Sequence, residues 1–370
     1  MVGGIRHRAS LYSDGMPYVI LLAPSSNRVY AGEAARLMAA ELRVLLGRER
    51  GADGQAEIAP IMIAGIGYLE LALDDLDGHA RAALGRLSGF LAVFRRDGDH
   101  LLPVEVPRPD RFDDDLVTIP KYAGKTNEQF TRMLINVTLA SLVGRPREPA
   151  AILDPLCGRG TTLSTGLTFG HDVAGVESDL KAIEAYATFL RSYLRRKRLK
   201  HTVEMSPVRR EGRSLGRRLD ATITPPDGGR PLSLAVFSGD TRQSASLFGK
   251  RRFDAVVADA PYGVVHGSQS DVRGTSGKRD RSAAGLIAEA LPIWAGQLKP
   301  GGALGLSWNT YGLSRERLVE LVAAAGLRPL DAGAYREFGH RVDSSIQRDI
   351  LVAVAESPVR SSSGATGTEA

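Results

Sequence analysis

From Ala151 onward the chain alternates short apolar runs with stretches of helical spacing, and this alternation constrains the fold more than any other feature. Apolar runs at 151–153, 172–176, 234–237, 255–259 and 303–308 are separated by helical patterns over 162–169, 179–198 and 286–298. Near-continuous apolar strands linked through helices are what a parallel sheet covered on both faces requires. The expectation is an α/β fold built on a doubly wound, mostly parallel sheet. A further helix over 315–325 precedes runs at 328–335 and 346–354 that can pair as an antiparallel edge.

The 370 residues exceed one average domain. Residues 1–108 mix strand-like runs at 17–22, 68–73 and 91–94 with helical patterns at 31–46 and 79–87, which reads as a small α+β domain with a possible part in substrate binding. Residues 109–150 read as a linker and a helix leading into the catalytic domain, 151–356 as that domain, and 357–370, rich in Ser, Gly and Thr, as a disordered tail. Within the second segment Thr126 and Gln129 have capping-box spacing, and Phe130, Met133, Leu134 and Val137 follow at helical intervals. The loop Lys121-Tyr122-Ala123-Gly124-Lys125 before that helix is placed to approach a ligand. No apolar run reaches the ~20 residues a membrane helix needs, and no secretory leader is evident, so a cytoplasmic location is expected. The single cysteine, Cys157, excludes an intrachain disulfide, and the seven histidines lack metal-ligand spacing, so no metal is expected.

In a doubly wound sheet, ligands bind beyond the carboxyl ends of the strands, where the strand order reverses. The turn Asp154-Pro155-Leu156-Cys157-Gly158-Arg159-Gly160-Thr161-Thr162 lies at such an end. Gly158 and Gly160 permit close approach or positive φ, while Thr161 and Thr162 offer hydroxyls at a helix start. The turn lacks the full dinucleotide spacing GxGxxG and is not a P-loop. Glu177, with Ser178 after it, closes the next strand, where a carboxylate suits two ribose hydroxyls. Asp240, with Thr241, follows the strand at 234–237 and suits an adenine amino group. The cofactor these positions suit is S-adenosyl-L-methionine, with Asp154, Leu156, Cys157, Gly158, Gly160, Thr161, Thr162, Glu177, Ser178, Asp240 and Thr241 as its candidate binding residues. Cys157 reads equally as packing.

The strand 255–258 ends in Asp259-Ala260-Pro261-Tyr262. A carboxylate, a rigid proline and an aromatic ring at one strand end suit a planar base with an exocyclic amine. Asp259 and the Ala260 carbonyl can accept the amine protons, freeing the nitrogen lone pair from the ring. Pro261 fixes φ, and Tyr262 gives a stacking face worth ~1–3 kcal/mol. The bland reading of the tetrad is a tight turn. Residues 264–284 read as a flap over the target base or as an insertion without a role.

Charge is uneven. Residues 191–218 hold eleven Lys or Arg against Glu204 and Glu211, a local +9 in a chain of net +6. Such clustering attracts polyanions, and Arg195, Arg196, Lys197, Arg198, Arg209 and Arg210, with Arg273 and Lys278 of the 264–284 stretch, are the candidate nucleic-acid contacts. The competing reading is a solvated helix face.

The motifs Asp154-Pro-Leu-Cys-Gly-Arg-Gly-Thr and Asp259-Ala-Pro-Tyr-Gly, with Lys121-Tyr-Ala-Gly-Lys-Thr-Asn-Glu-Gln-Phe ahead of them, resemble the RNA methylase family that includes the tRNA guanosine-N2 methyltransferases. The resemblance covers roughly residues 117–356. It implies a Rossmann-like class I methyltransferase domain, S-adenosylmethionine as donor, and transfer to guanine N2 or adenine N6 in tRNA or rRNA. Ala260 departs from the family pattern, which has proline there, and is expected to loosen the corner. A DNA adenine-N6 or cytosine-N4 methyltransferase, and a nucleic-acid-binding protein that keeps the fold without catalysis, are the alternatives.

Overall fold

A computed structural model describes residues 16–25, 28–50, 57–122, 124–144, 149–210, 213–261 and 283–356. Tyr262, the 264–284 stretch up to residue 282, with Arg273 and Lys278, and the tail at 357–370 lie outside them. Two sheets organise the rest. The small one comprises β1 (Tyr18–Leu22), β2 (Glu57–Ile63), β3 (Ile66–Ala72), β4 (Phe90–Asp97) and β5 (His100–Val104), all antiparallel in the order β2-β3-β1-β4-β5. Helices α1 (Arg28–Arg50) and α2 (Gly78–Arg86) lie between its strands in sequence. β2, and β5 near the end of the small domain, were not legible as strands, because Pro60 and Pro103 interrupt their patterns.

After α3 (Asp115–Thr118) and α4 (Glu128–Ala140), the large sheet begins. Its parallel strands are β6 (Ala151–Asp154), β7 (Asp172–Glu177), β10 (Leu232–Ser238), β11 (Phe253–Asp259) and β12 (Leu298–Asn309). The intervening helices are α5 (Thr161–Thr168), α6 (Leu180–Arg196), α7 (Ser244–Phe248) and α8 (Ala283–Gly296), with α9 (Arg315–Ala324) after β12. β13 (Leu327–Leu330) and β15 (Gln347–Ala355) pair antiparallel as expected, with β14 (His340–Arg341) added beside β15. The basic stretch after α6 extends the large sheet. It forms the antiparallel ribbon β8 (His201–Arg210) and β9 (Arg213–Ile223), and β9 pairs antiparallel with β10. The full order is β13-β15-β12-β11-β6-β7-β10-β9-β8.

The buried pattern explains these elements. β11 reads Phe-Asp-Ala-Val-Val-Ala-Asp and buries both faces, as a central parallel strand must. On α6, Ala182, Ile183, Tyr186, Ala187, Leu190, Tyr193 and Leu194 form one buried stripe, the N-cap Asp179 accepts from the Lys181 N–H, and Arg195 and Arg196 complement the helix dipole in the last turn. α4 joins the two sheets. One apolar core runs from α1 through Phe130, Met133 and Val137 of α4 to Ile152, Val257, Ile350 and Val352 of the large sheet. Gly305 permits this close docking, since a Cβ there would collide with the Thr138 side chain. Among the described residues no helix is long and apolar enough to cross a membrane.

Candidate active site

The strands β6, β7 and β11 end in Asp154, Glu177 and Asp259, and Asp240 follows the end of β10. Registry keeps these ends level: Asp154 lies opposite Gly175, Glu177 opposite Ser238, and Asp259 opposite Ser307. β6 stands between β7 and β11, so the crevice where strand order reverses lies between Asp154 and Asp259. Both sequence motifs meet there.

The turn after β6 is tied down by its own backbone. The Cys157 N–H donates to the Val176 carbonyl (3.0 Å), the Gly160 N–H to the Cys157 carbonyl (2.7 Å), and the Gly158 N–H to Glu177 Oε2 (2.9 Å). Gly158 and Gly160 have φ of +49° and +80°. A Cβ on Gly160 would stand 2.7 Å from the Tyr186 ring. Glu177 Oε1 also accepts from the Asp179 N–H (2.7 Å) and the Ser178 hydroxyl (3.2 Å), which aims the carboxylate beside the turn. Asp154 is buried and accepts from the Leu156 N–H (3.0 Å) and the Thr162 hydroxyl, and burial raises its pKa to about 7. Cys157 is buried against Gly175, and burial pushes its thiol well up, as for a packing residue.

The residues after β10 are committed differently. The Arg242 guanidinium holds both oxygens of Asp240, at 2.5 Å from Oδ2 and 2.9 Å from Oδ1, and also pairs with Glu289 at 2.7 Å. The buried Thr241 hydroxyl accepts from the Trp294 indole N–H at 2.9 Å. Thr241 therefore braces α8, and Asp240 meets the crevice only beside a bound arginine.

At the corner, Asp259 is 17% exposed. Its Oδ2 accepts from the Thr126 hydroxyl at 2.5 Å and lies 3.9 Å from Arg348 Nη2. Arg348 is 5% exposed, stands over the Phe130 ring at 4.5 Å, and is opposite Asn309 in the β12–β15 ladder. Burial lowers its pKa from the usual guanidinium range. The Ala260 N–H donates to the Ser307 carbonyl at 2.8 Å, and Ala260 is buried. This corrects the expected loosening: the alanine supplies a hydrogen bond that proline lacks, and the corner is anchored to β12 through it.

The segment before α4 bridges the two motifs. The Tyr122 hydroxyl is 2.7 Å from Thr161 Oγ1, and Arg159 stands over the Tyr122 ring at 5.1 Å. Burial raises the Tyr122 pKa. Thr126 is not the helix cap its spacing implied. Asn127 caps α4 by accepting from the Phe130 N–H at 3.1 Å, which leaves the Thr126 hydroxyl for Asp259. Arg348 was missed entirely. Its only signal was an arginine, followed by Asp349, ahead of the apolar run Ile350 to Ala355.

The basic cluster is divided by the fold. α6 starts beside Glu177 and runs back, so Arg195, Arg196, Lys197 and Arg198 stand at the amino end of the sheet, away from the crevice. There Lys197 pairs with Asp113 (2.7 Å) and Asp115 (3.0 Å), and Arg196 approaches Asp115 at 3.8 Å. These cations hold down the aspartate run of the linker. Arg209 and Arg210 stand at the other end, where β8 finishes on the crevice side. Among the described residues no group of three or more His, Cys, Asp or Glu could hold a metal.

With β15 reversed between β12 and β13, the large sheet has the strand order of the class I methyltransferase fold. No family model matches the chain, and no curated protein matches it. Solved structures do. TrmN from Thermus thermophilus is similar at 14% identity over 92% of this chain and 99% of that chain, with a TM-score of 0.41. The rRNA methyltransferase aviRa from Streptomyces viridochromogenes is similar at 17% identity, covering 66% of this chain and 94% of that one, with a TM-score of 0.38. The T. thermophilus 16S rRNA N2 G1207 methyltransferase RsmC, in complex with AdoMet and guanosine, is similar at 16% identity over 85% and 60% of the two chains, with a TM-score of 0.35.

Proposed function

We propose that the chain is an S-adenosylmethionine-dependent N-methyltransferase acting on an exocyclic amino group of a nucleic-acid base, guanine N2 ahead of adenine N6 and RNA ahead of DNA. The observation that carries the reading is the crevice itself: Asp259 faces the switch point next to the glycine turn, held by Thr126 and Arg348. The turn fits the proposed donor. Two left-handed glycines keep backbone close to the ligand space, and Glu177 is aimed beside them, where it suits ribose hydroxyls.

Bound there, S-adenosylmethionine supplies an electrophilic methyl group. The chain's residues handle the acceptor. Asp259 accepts a hydrogen bond from the amine, draws the nitrogen lone pair out of conjugation and takes up the departing proton, directly or through water. Thr126 fixes the rotamer of that carboxylate, and Arg348 keeps a positive charge beside it. Pro261 holds the corner rigid, and Tyr262 is the residue the sequence offers as a stacking face. The choice of guanine N2 and of RNA rests on the sequence resemblance.

The test is transfer of tritiated methyl from labelled S-adenosylmethionine to total tRNA, rRNA and genomic DNA, followed by nucleoside analysis. Label in N2-methylguanosine from RNA is expected. Label confined to a DNA base would replace the RNA substrate, and no label in any polymer would sink the enzymatic reading.

A further inference from the structure

We infer that the β8–β9 ribbon is the arm that grips the sugar-phosphate backbone of the substrate strand, and that the basic end of α6 takes no part in binding it. The inference rests on the proposed nucleic-acid substrate and deepens it by naming the surface that holds the polymer. Both halves belong to one basic stretch in the sequence, and the fold sends them to opposite ends of the sheet.

The ribbon outruns its neighbour. β9 pairs with β10 from Ile223 opposite Leu232 to Arg218 opposite Phe237, and β10 stops at Ser238. The β8–β9 ladder continues through Val208 opposite Gly216 and Arg209 opposite Ser214 to Arg210 opposite Arg213. Four residues at ~3.3 Å each carry the ribbon roughly 13 Å past the end of β10, on the side where Asp154, Glu177 and Asp259 stand. Laterally, β9 is four strands from β11, about 19 Å at ~4.8 Å per strand. A strand with one base in the Asp259 corner would thus meet the ribbon with its backbone, several nucleotides away.

Departure from the sheet is built into the ribbon. The register shifts between Val208 and Arg209, and Gly216 has φ of +108°. A Cβ on Gly216 would lie 2.5 Å from Ser238 Oγ, and that hydroxyl accepts from the Arg217 N–H at 2.7 Å. A bulge of this kind re-aims a strand at a site rim. The ribbon is braced at its base, where Arg217 pairs with Glu184 (3.0 Å) and Arg218 with Asp220 (2.7 Å) while standing over Phe237 (4.9 Å).

Residues 209–218 hold five arginines against Glu211 alone, and Arg209 is exposed. At the far end, Lys197 already pairs with Asp113 and Asp115, and Arg196 lies 3.8 Å from Asp115. Phosphate contacts position a polymer without reading sequence, so this arm suits RNA and DNA strands alike.

The test compares the full chain with R209E/R210E and with R195E/R198E, measuring affinity for total tRNA and for single-stranded DNA across a salt series. Melting temperature and S-adenosylmethionine affinity serve as folding controls. For R209E/R210E, the slope of log affinity against log salt should flatten by about 2, with at least a tenfold loss of affinity at low salt. R195E/R198E should follow the wild type. If the double variant does not fold, R209A should flatten the slope by about 1. An R209E/R210E protein that binds like the wild type overturns the ribbon assignment, and so does an equal or larger loss in R195E/R198E. A wild-type protein that binds neither polymer would instead count against the base-modifying reading itself, so the two failures are distinguishable.

Discussion

Asp259 owes its position to three residues from three distant parts of the chain: Thr126 before α4, Arg348 on β15, and Ser307 on β12, which holds the next residue in place. Hydrogen bonds to charged groups contribute about 1.5–3 kcal/mol, so Thr126→Val should lower kcat by at least tenfold. S-adenosylmethionine affinity should not change, and Thr126→Ser should recover most of the rate. Ala260→Pro is the sharper case, because it restores the family pattern while removing the N–H that bonds to Ser307. It should cost about 1–3 kcal/mol and reduce activity, read as a lower melting temperature and a lower rate. A more active, equally stable Ala260→Pro enzyme would show that the anchor at 260 is unimportant.

At the scale of the element, the glycine turn and α5 form the proposed cofactor cradle, and the two glycines should behave differently. Gly158 has open space where a Cβ would go, so Gly158→Ala bears only the left-handed strain, about 1–2 kcal/mol. Gly160→Ala bears that strain and a collision with the Tyr186 ring, so its melting temperature and S-adenosylmethionine affinity should both fall further. Calorimetry on the two variants checks the order. The parallel strands and helices of this region were legible because β11 and its neighbours are apolar runs bounded by turns, and the two motifs sit at their ends. The ribbon was not. β8 alternates apolar and polar residues only from Val203 to Ser206 before Pro207 interrupts it, and β9, reading Arg-Ser-Leu-Gly-Arg-Arg-Leu-Asp, has no clean alternation. Thr126 was misread because two adjacent residues, Thr126 and Asn127, are both good caps and only tertiary contact decides between them. Arg348 was invisible because its partners lie more than 80 residues away in sequence.

In the molecule as a whole, the small sheet is joined to the large sheet through α4, and one buried carboxylate lies at that junction. Glu41 of α1 accepts from the Ser88 N–H (3.1 Å), the Ser88 hydroxyl (2.5 Å) and Asn136 Nδ2 of α4 (2.7 Å). Burial raises its pKa from 4.5 to about 7. The folded state therefore holds a proton that the unfolded chain has released between those values, and its stability falls as pH rises through that window. The contribution is about 3 kcal/mol, complete below the unfolded pKa and gone above about 7. Asp154 acts in the same direction. Glu41→Gln should flatten the decline of melting temperature across this range, and an unchanged pH profile would show that Glu41 does not titrate there. In the proposed reaction one crevice, between the β6 turn and the end of β11, binds the donor and activates the acceptor amine. This is tested most directly by the initial rate of methyl transfer to total tRNA at saturating S-adenosylmethionine, for wild type and Asp259→Ala, with cofactor affinity measured alongside. Equal affinity with a rate lowered about 10²–10⁴-fold is the predicted result, and an Asp259→Ala protein that transfers at the wild-type rate would contradict it.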